Sequence, residues 1–355
     1  MLPAPAYSLV VVIVAAMAAL IALLFVLLMI QRGLASLASA HVRRREAVLS
    51  PLLFEALESP EAVSRLRRAL RPLDRLVLRT MLLRLALDLR GDESRTIADL
   101  YRALGLLDAE LRALRSWRAR RRAAAAANLA TLRMPRIQRR LVQALDDPDR
   151  TVRIALIQAI GEVGDRRAIL ALVRRLGERS PTVVRQVEQV LIERGREVVA
   201  EIVAYAETSP TLRGRRAAVE VLGLLRAPLA ADLLLDLVRH PDRELRIRAV
   251  KAAAAIGDPR FLGAFHELLA DASWAVRCQA AKGLGTLGSP TSVPLLRAAL
   301  GDEHWWVRFY AAVALAELGE PGHAALQAAV SDPEPTVRDM ARYLLERDPL
   351  LPALP

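Results

Sequence analysis

The chain has 355 residues, a formal charge of +12 at pH 7, 54% hydrophobic and only 4% aromatic side chains, and one cysteine. A lone cysteine excludes an intrachain disulfide framework. The dominance of Ala, Leu and Arg favours helix, and no run of alternating β-branched residues offers a sheet.

In chain order, residues 1–8 are an uncharged tail and residues 9–30, LVVVIVAAMAALIALLFVLLMI, are 22 apolar residues without a charge. At ~1.5 Å per residue such a helix reaches roughly 33 Å, which predicts a transmembrane span. Ala38-Ser39-Ala40 offers the competing reading of a cleaved leader. The apolar run is longer than a leader core, and no positive charge precedes it. Arg32 is the first charge, followed by Arg43, Arg44 and Arg45. Positive residues flanking a span stay inside. The expectation is therefore an inner-membrane, single-pass protein with its N-terminus outside and the remainder in the cytoplasm.

Residues 31–110 form a basic juxtamembrane helical segment of divergent repeats. Between 32 and 135 there are 21 arginines, no lysine and 11 acids. Three readings stay open for this charge. It forms solvated helix faces; or it lies on anionic lipid, with Arg43, Arg44 and Arg45 at the membrane surface; or it binds nucleic acid or an acidic protein through RSWRARRRAA. No base-reading module accompanies that last stretch, which argues against nucleic acid.

From 111 to 347 the sequence repeats. Apolar–Arg pairs recur at Val152-Arg153, Val184-Arg185, Leu245-Arg246, Val276-Arg277, Val307-Arg308 and Val337-Arg338, with a degraded copy near Arg215. The period of about 31 residues predicts an all-α solenoid of helix pairs. Thr291–Leu300 and His304–Leu318 are the two expected helices of one unit. Asp147, Asp271, Asp302 and Asp332 precede second helices and are suited to cap them. Arg153, Arg246, Arg277, Arg308 and Arg338, six residues on, have the length to reach that carboxylate or its neighbour's. Gly283-Leu284-Gly285-Thr286-Leu287-Gly288 fits GxGxxG, but it ends a helix, whereas a phosphate-cradling loop opens one. Gly164, Gly257, Gly288 and Gly319 suit left-handed helix ends. A Pro-rich tail, 348–355, closes the chain.

Asp followed by Val-Arg at this spacing, with Ala-rich second helices, resembles HEAT repeats. The short unit is similar to the subtype named for phycobilisome lyases. The resemblance implies an armadillo-like scaffold, and it carries lyase subunits as an enzymatic alternative.

No HExxH, GxSxG, Walker A or CxxC occurs, and the five histidines lie far apart, so no enzyme, cofactor or metal is expected. Cys278 reads as a core residue. What remains is a protein partner. Gln158, Lys251 and Lys282 form one column on the second helices; Arg248, Gln279 and Tyr310 form another; Glu162, Thr286 and Glu317 a third. These are polar positions on one helical face, the partner surface in such solenoids, with a merely solvated face as the competing reading. Trp274, Trp305 and Trp306 stand near the loop edge, for binding or for packing between units. The functional expectation is a membrane-anchored cytoplasmic scaffold. An accessory subunit of a membrane enzyme such as a glycosyltransferase or transporter is the alternative.

Overall fold

The computed structural model describes residues 4–71, 74–89, 92–134 and 137–346, with the side chains of 4–16, 18, 19, 33–38 and 92 outside that description. The Pro-rich tail expected over 348–355 lies outside the described residues. The described residues are helical and contain no strand. They fall into two compact units, 1–116 with 131–134, and 117–130 with 135–355.

The first unit holds α1 (Ala4–Glu58), α2 (Pro60–Ala69), α3 (Asp74–Asp88), α4 (Asp92–Ala103) and α5 (Leu106–Ala113). Leu49, Leu53, Leu66, Leu78 and Leu82 close its core. Two polar ties cross that core. Arg45 donates from Nε and Nη2 to the two oxygens of buried Asp74, at 2.8 and 2.6 Å. Tyr101 Oη donates to Glu110 at 3.0 Å, with Arg79 3.6 Å away. Arg45 is thus consumed in holding α3 against α1, while Arg43 and Arg44 are exposed.

The membrane placement requires correction. Among the described residues no helix is long and apolar enough to cross a membrane. Within the 9–30 run, the uninterrupted stretch of described side chains is Leu20 to Ile30, all exposed. The rest of the run lies outside the described side chains. The single-pass assignment, and with it the inner-membrane location and the orientation inferred from Arg43–Arg45, is withdrawn.

The second unit begins with α6 (Ala119–Thr131), whose last residue is counted in the first unit, and α7 (Gln138–Ala144). It continues through α8 (Arg150–Val163), α9 (Arg166–Val173), α10 (Pro181–Arg194), α11 (Val199–Thr208), α12 (Leu212–Leu224) and α13 (Ala231–Leu237). The most regular repeats follow: α14 (Arg243–Ile256), α15 (Leu262–Leu268), α16 (Trp274–Leu287), α17 (Val293–Ala299), α18 (Trp305–Glu317), α19 (Glu320–Ala329) and α20 (Pro335–Glu346). First helices are shorter than expected because a 3-10 turn precedes them, as at Pro290–Ser292 ahead of α17. Pro228, Pro259 and Pro290 open the turns ahead of α13, α15 and α17, where a fixed φ and a missing amide are tolerated.

The apolar member of each pair is buried: Val152, Leu245, Val276, Val307 and Val337. In the weak copy the buried residue is Val183, while Val184 is half-buried, so the register there is shifted by one. Second helices α12, α14, α16 and α18 pack directly on one another. Their contact is made of small residues. A Cβ on Gly223 would stand 2.9 Å from Ala252 Cα, and one on Gly285 would stand 3.0 Å from Ala314 Cα. A Cβ on Gly283 would collide with the Phe265 ring. The GxGxxG glycines therefore serve packing, and Gly288 (φ 68°) ends α16 in the left-handed region, as Gly257 ends α14. Gly164 differs from expectation, closing α8 in an extended conformation. Gly223→Ala should cost about 1–3 kcal/mol through backbone overlap, readable as a fall in melting temperature with unchanged helical content.

Candidate functional site

The loops that carry the repeat are joined by an arginine ladder. Arg277 donates from Nε and Nη2 to Asp302 at 2.7 and 2.9 Å, and from Nη1 to its own loop carbonyl, Asp271 O, at 3.0 Å. Arg246 repeats this with Asp271 and the carbonyl of His240. Arg153 meets Glu178 at 3.5 Å and takes the carbonyl of Asp147. Each arginine therefore links its own loop to the next one.

Four rung members were not read from the sequence. Arg122 reaches Asp147 at 2.6 Å, Glu178 receives Arg153, and Arg216 reaches Asp242 at 2.6 Å. The period was the available signal, since Arg122 precedes Arg153, and Glu178 follows Asp147, by one repeat of 31 residues. In the degraded copy two residues divide one job, Arg215 holding the Glu207 carbonyl and Arg216 the carboxylate. At the far end the pattern stops. Arg308 and Arg338 bind only loop carbonyls, and Asp332 is approached by Arg297 at 3.7 Å.

The aspartates do not cap the helices as expected. Asp147, Asp271, Asp302 and Asp332 each accept from the amide two residues on, ahead of the helix. The N-cap residues are Asp149, Ser273 and His304. An aspartate engaged in this turn has its carboxylate turned toward the neighbouring loop, which leaves it open to the ladder arginine. At the equivalent place His240 Nδ1 accepts from the Asp242 amide, and the rung moves to Asp242.

Burial opposes ionisation of Asp302, yet the Arg277 hydrogen bonds and the His304 amide outweigh it and hold the carboxyl below its ordinary range. Asp147 is held low in the same way against burial, Asp242 chiefly by its hydrogen bonds from Arg216, and Asp74 chiefly by those from Arg45. A lowered native pKa gives stability that is complete above the unfolded value near ~4 and lost as pH falls through the native one. Acid titration should show stability falling below about pH 4, with a shallower slope in Asp302→Asn. At neutral pH, Asp302→Ala should cost about 3 kcal/mol because the buried Arg277 loses its two-armed partner and keeps only the exposed Glu303 and a loop carbonyl. A lost cap alone costs only ~1 kcal/mol.

The second-helix columns are partly self-paired. Arg248 and Lys251 both bind Glu220, at 2.6 and 3.1 Å. Glu220 was overlooked although it lies one repeat before Lys251. Burial, and then the Glu220 charge, raise the Glu188 carboxyl beside them. Lys282 Nζ lies 3.7 Å from the centre of the Tyr310 ring, Gln279 is half-buried, and Gln158 and Glu162 are exposed. Thr286 Oγ1 donates to the Lys282 carbonyl at 3.1 Å.

Next to Tyr310 lies an aromatic ridge. Trp306 stacks on Tyr310 at 6.1 Å, Trp305 stacks on Phe309 at 5.2 Å, and the two indoles stand at 85°. Tyr343 of α20 completes it, 6.4 Å from both Trp305 and Phe309. Trp305 and Trp306 remain 41% and 43% exposed. Trp274 is used differently, stacking on His304 of the next loop at 4.0 Å.

Chemistry is sparse elsewhere. Among the described residues no group of His, Cys, Asp and Glu is placed to hold a metal ion. Burial pushes the Cys278 thiol up to about 11, so at neutral pH it is protonated and a poor nucleophile. Alkylation of Cys278 at neutral pH should be negligible in the folded protein and should rise in step with unfolding.

The geometry defines an α-solenoid whose units are joined by loop ion pairs and close helix contacts. The HEAT-repeat family model matches residues 107–192, 199–271 and 262–346, more than half of the chain. The chain belongs to the HEAT-repeat family, and is a scaffold of that type. No curated protein matches it. Among solved structures it is similar to Kap121p, at 15% identity and a TM-score of 0.41, over 80% of this chain and 43% of that one. It therefore spans less than half the length of Kap121p. An engineered protein is similar at 18% identity over 85% of this chain and 94% of that one, with a TM-score of 0.39. Human deoxyhypusine hydroxylase, in complex with glycerol, is similar at 24% identity over 72% and 98%, with a TM-score of 0.30.

Proposed function

We propose that this chain is a non-catalytic HEAT scaffold of the short-repeat subtype that holds a partner protein on the second-helix face of its last units. The aromatic ridge carries the reading. In a chain with only 4% aromatic residues, two of its four tryptophans stand side by side there, on one helix, and more than 40% exposed. Exposed Trp and Tyr clusters are the side chains that dominate binding energy at protein interfaces. The Arg277–Asp302 rung fixes the loop ahead of α18 before any partner arrives, which lowers the ordering cost of binding. The 31-residue period supports the short-repeat subtype, and the protonated, buried Cys278 supports a role without nucleophilic chemistry.

The lysine columns take a secondary place in this reading. Lys251 shares Glu220 with Arg248, and Lys282 sits on Tyr310, so neither is left to seek an acidic partner. Affinity purification of the full chain should recover a partner that Trp305→Ala with Trp306→Ala loses at least ~10-fold, about 1.4 kcal/mol, while the melt moves little. Lys251→Glu with Lys282→Glu should have a smaller effect on recovery. Normal recovery by the tryptophan pair would reject this face as the binding surface.

A further inference from the structure

Resting on that scaffold reading, we propose that the ridge takes a basic segment of its partner, one presenting arginine or lysine side chains to the exposed rings. Over residues 303–346 seven carboxylates stand against three arginines, a net of −4 within a chain of +12. Arg308 and Arg338 are already engaged by loop carbonyls. Arg342 is the third.

Two exposed carboxylates share α20 with Tyr343 of the ridge. Asp339 and Glu346 are exposed, make no ion pair among the described residues, and lie four residues before and three after Tyr343 on α20, with the exposed Arg342 between them. That spacing puts all three on one helical face. Glu317, two turns beyond Tyr310 on α18, has its carboxylate against Gly285 although the residue as a whole is exposed. Burial raises its carboxyl with no neighbouring cation to oppose it.

The same surface already seats one cation, since the Lys282 ammonium lies over Tyr310. Tryptophan faces attract cations more strongly than other rings do, and the Trp305 and Trp306 planes, at 85°, present faces in two directions. An apolar partner covering the ridge would shut Asp339 and Glu346 away from water without compensation. An acidic partner would be repelled by them. A guanidinium or ammonium satisfies ring and carboxylate together, and charge complementarity of this kind sets the choice of partner.

The test titrates the full chain with a fluorescein-labelled Gly-Ser peptide carrying several arginines, and with the same peptide carrying citrulline, which keeps the shape and removes the charge. The arginine peptide should bind at least ~10-fold more tightly, quench tryptophan fluorescence, and weaken as salt rises. Trp305→Ala with Trp306→Ala, and separately Asp339→Asn with Glu346→Gln, should each cost about tenfold, while Trp117→Ala should change nothing. The carboxylate variant breaks no ion pair among the described residues, so it stands even if the tryptophan variant is unstable. Equal binding of the citrulline peptide, or arginine binding untouched by both variants, overturns the proposal. Native-partner recovery separates the two readings. If the tryptophan variant loses the partner while the peptides are not distinguished, the scaffold reading stands and the basic segment is rejected.

Discussion

Everything in the second unit depends on one arginine side chain used twice per repeat. Its guanidinium carries donors in a rigid fork. One arm satisfies the carbonyls that open its own loop, and the other grips the next loop's carboxylate. Arg246 and Arg277 do both. A lysine at either place would supply a compact point charge on a flexible stem without the fork, which gives the near-exclusive use of arginine a structural reason within the repeats. In a solenoid each unit contacts only its neighbours, so stability is close to a sum of such interfaces. The weakest rungs then mark where the array yields first. Those places are the Arg153–Glu178 contact at 3.5 Å and the Asp332 end, where Arg297 approaches at 3.7 Å.

How much of this was legible follows from what each feature needs. The helix pairs, the buried apolar member and the ladder arginines were readable, because a fixed period exposes them without coordinates. The direction of the rungs was not. Asp302 lies next to its own helix in sequence, and capping is the local use of an aspartate there. Only the fold brings Arg277 of the preceding unit to it. The same limit hid Glu220, whose meaning appears when Arg248 and Lys251 arrive from the next helix. Gly164 followed the period but not its conformation, since a left-handed end is one of several ways to close a helix. The 9–30 run shows the opposite error. Hydropathy alone predicted a span, and among the described residues no helix meets the length and apolarity a span requires.

The position of the aromatic ridge follows from the packing beneath it. Second helices approach through Gly and Ala, with Gly285 against Ala314 and Ala311 and Ala312 fully buried. An interface that close has no volume for an indole. Trp305, Trp306, Phe309 and Tyr310 on α18 therefore lie outside the small-residue contact, where they pack on one another. Large side chains left half in water are costly to a scaffold that needs only itself, since apolar area in water is unfavourable at roughly 25 cal/mol per Å². Trp274 shows what an indole of this array does when packing is its use, lying flat on His304 within 3° of parallel. Trp305 and Trp306 stack instead on Phe309 and Tyr310 of their own helix and reach no neighbouring loop in that way. The small-residue contact that lets the repeats close up also leaves these rings half exposed at the surface of α18.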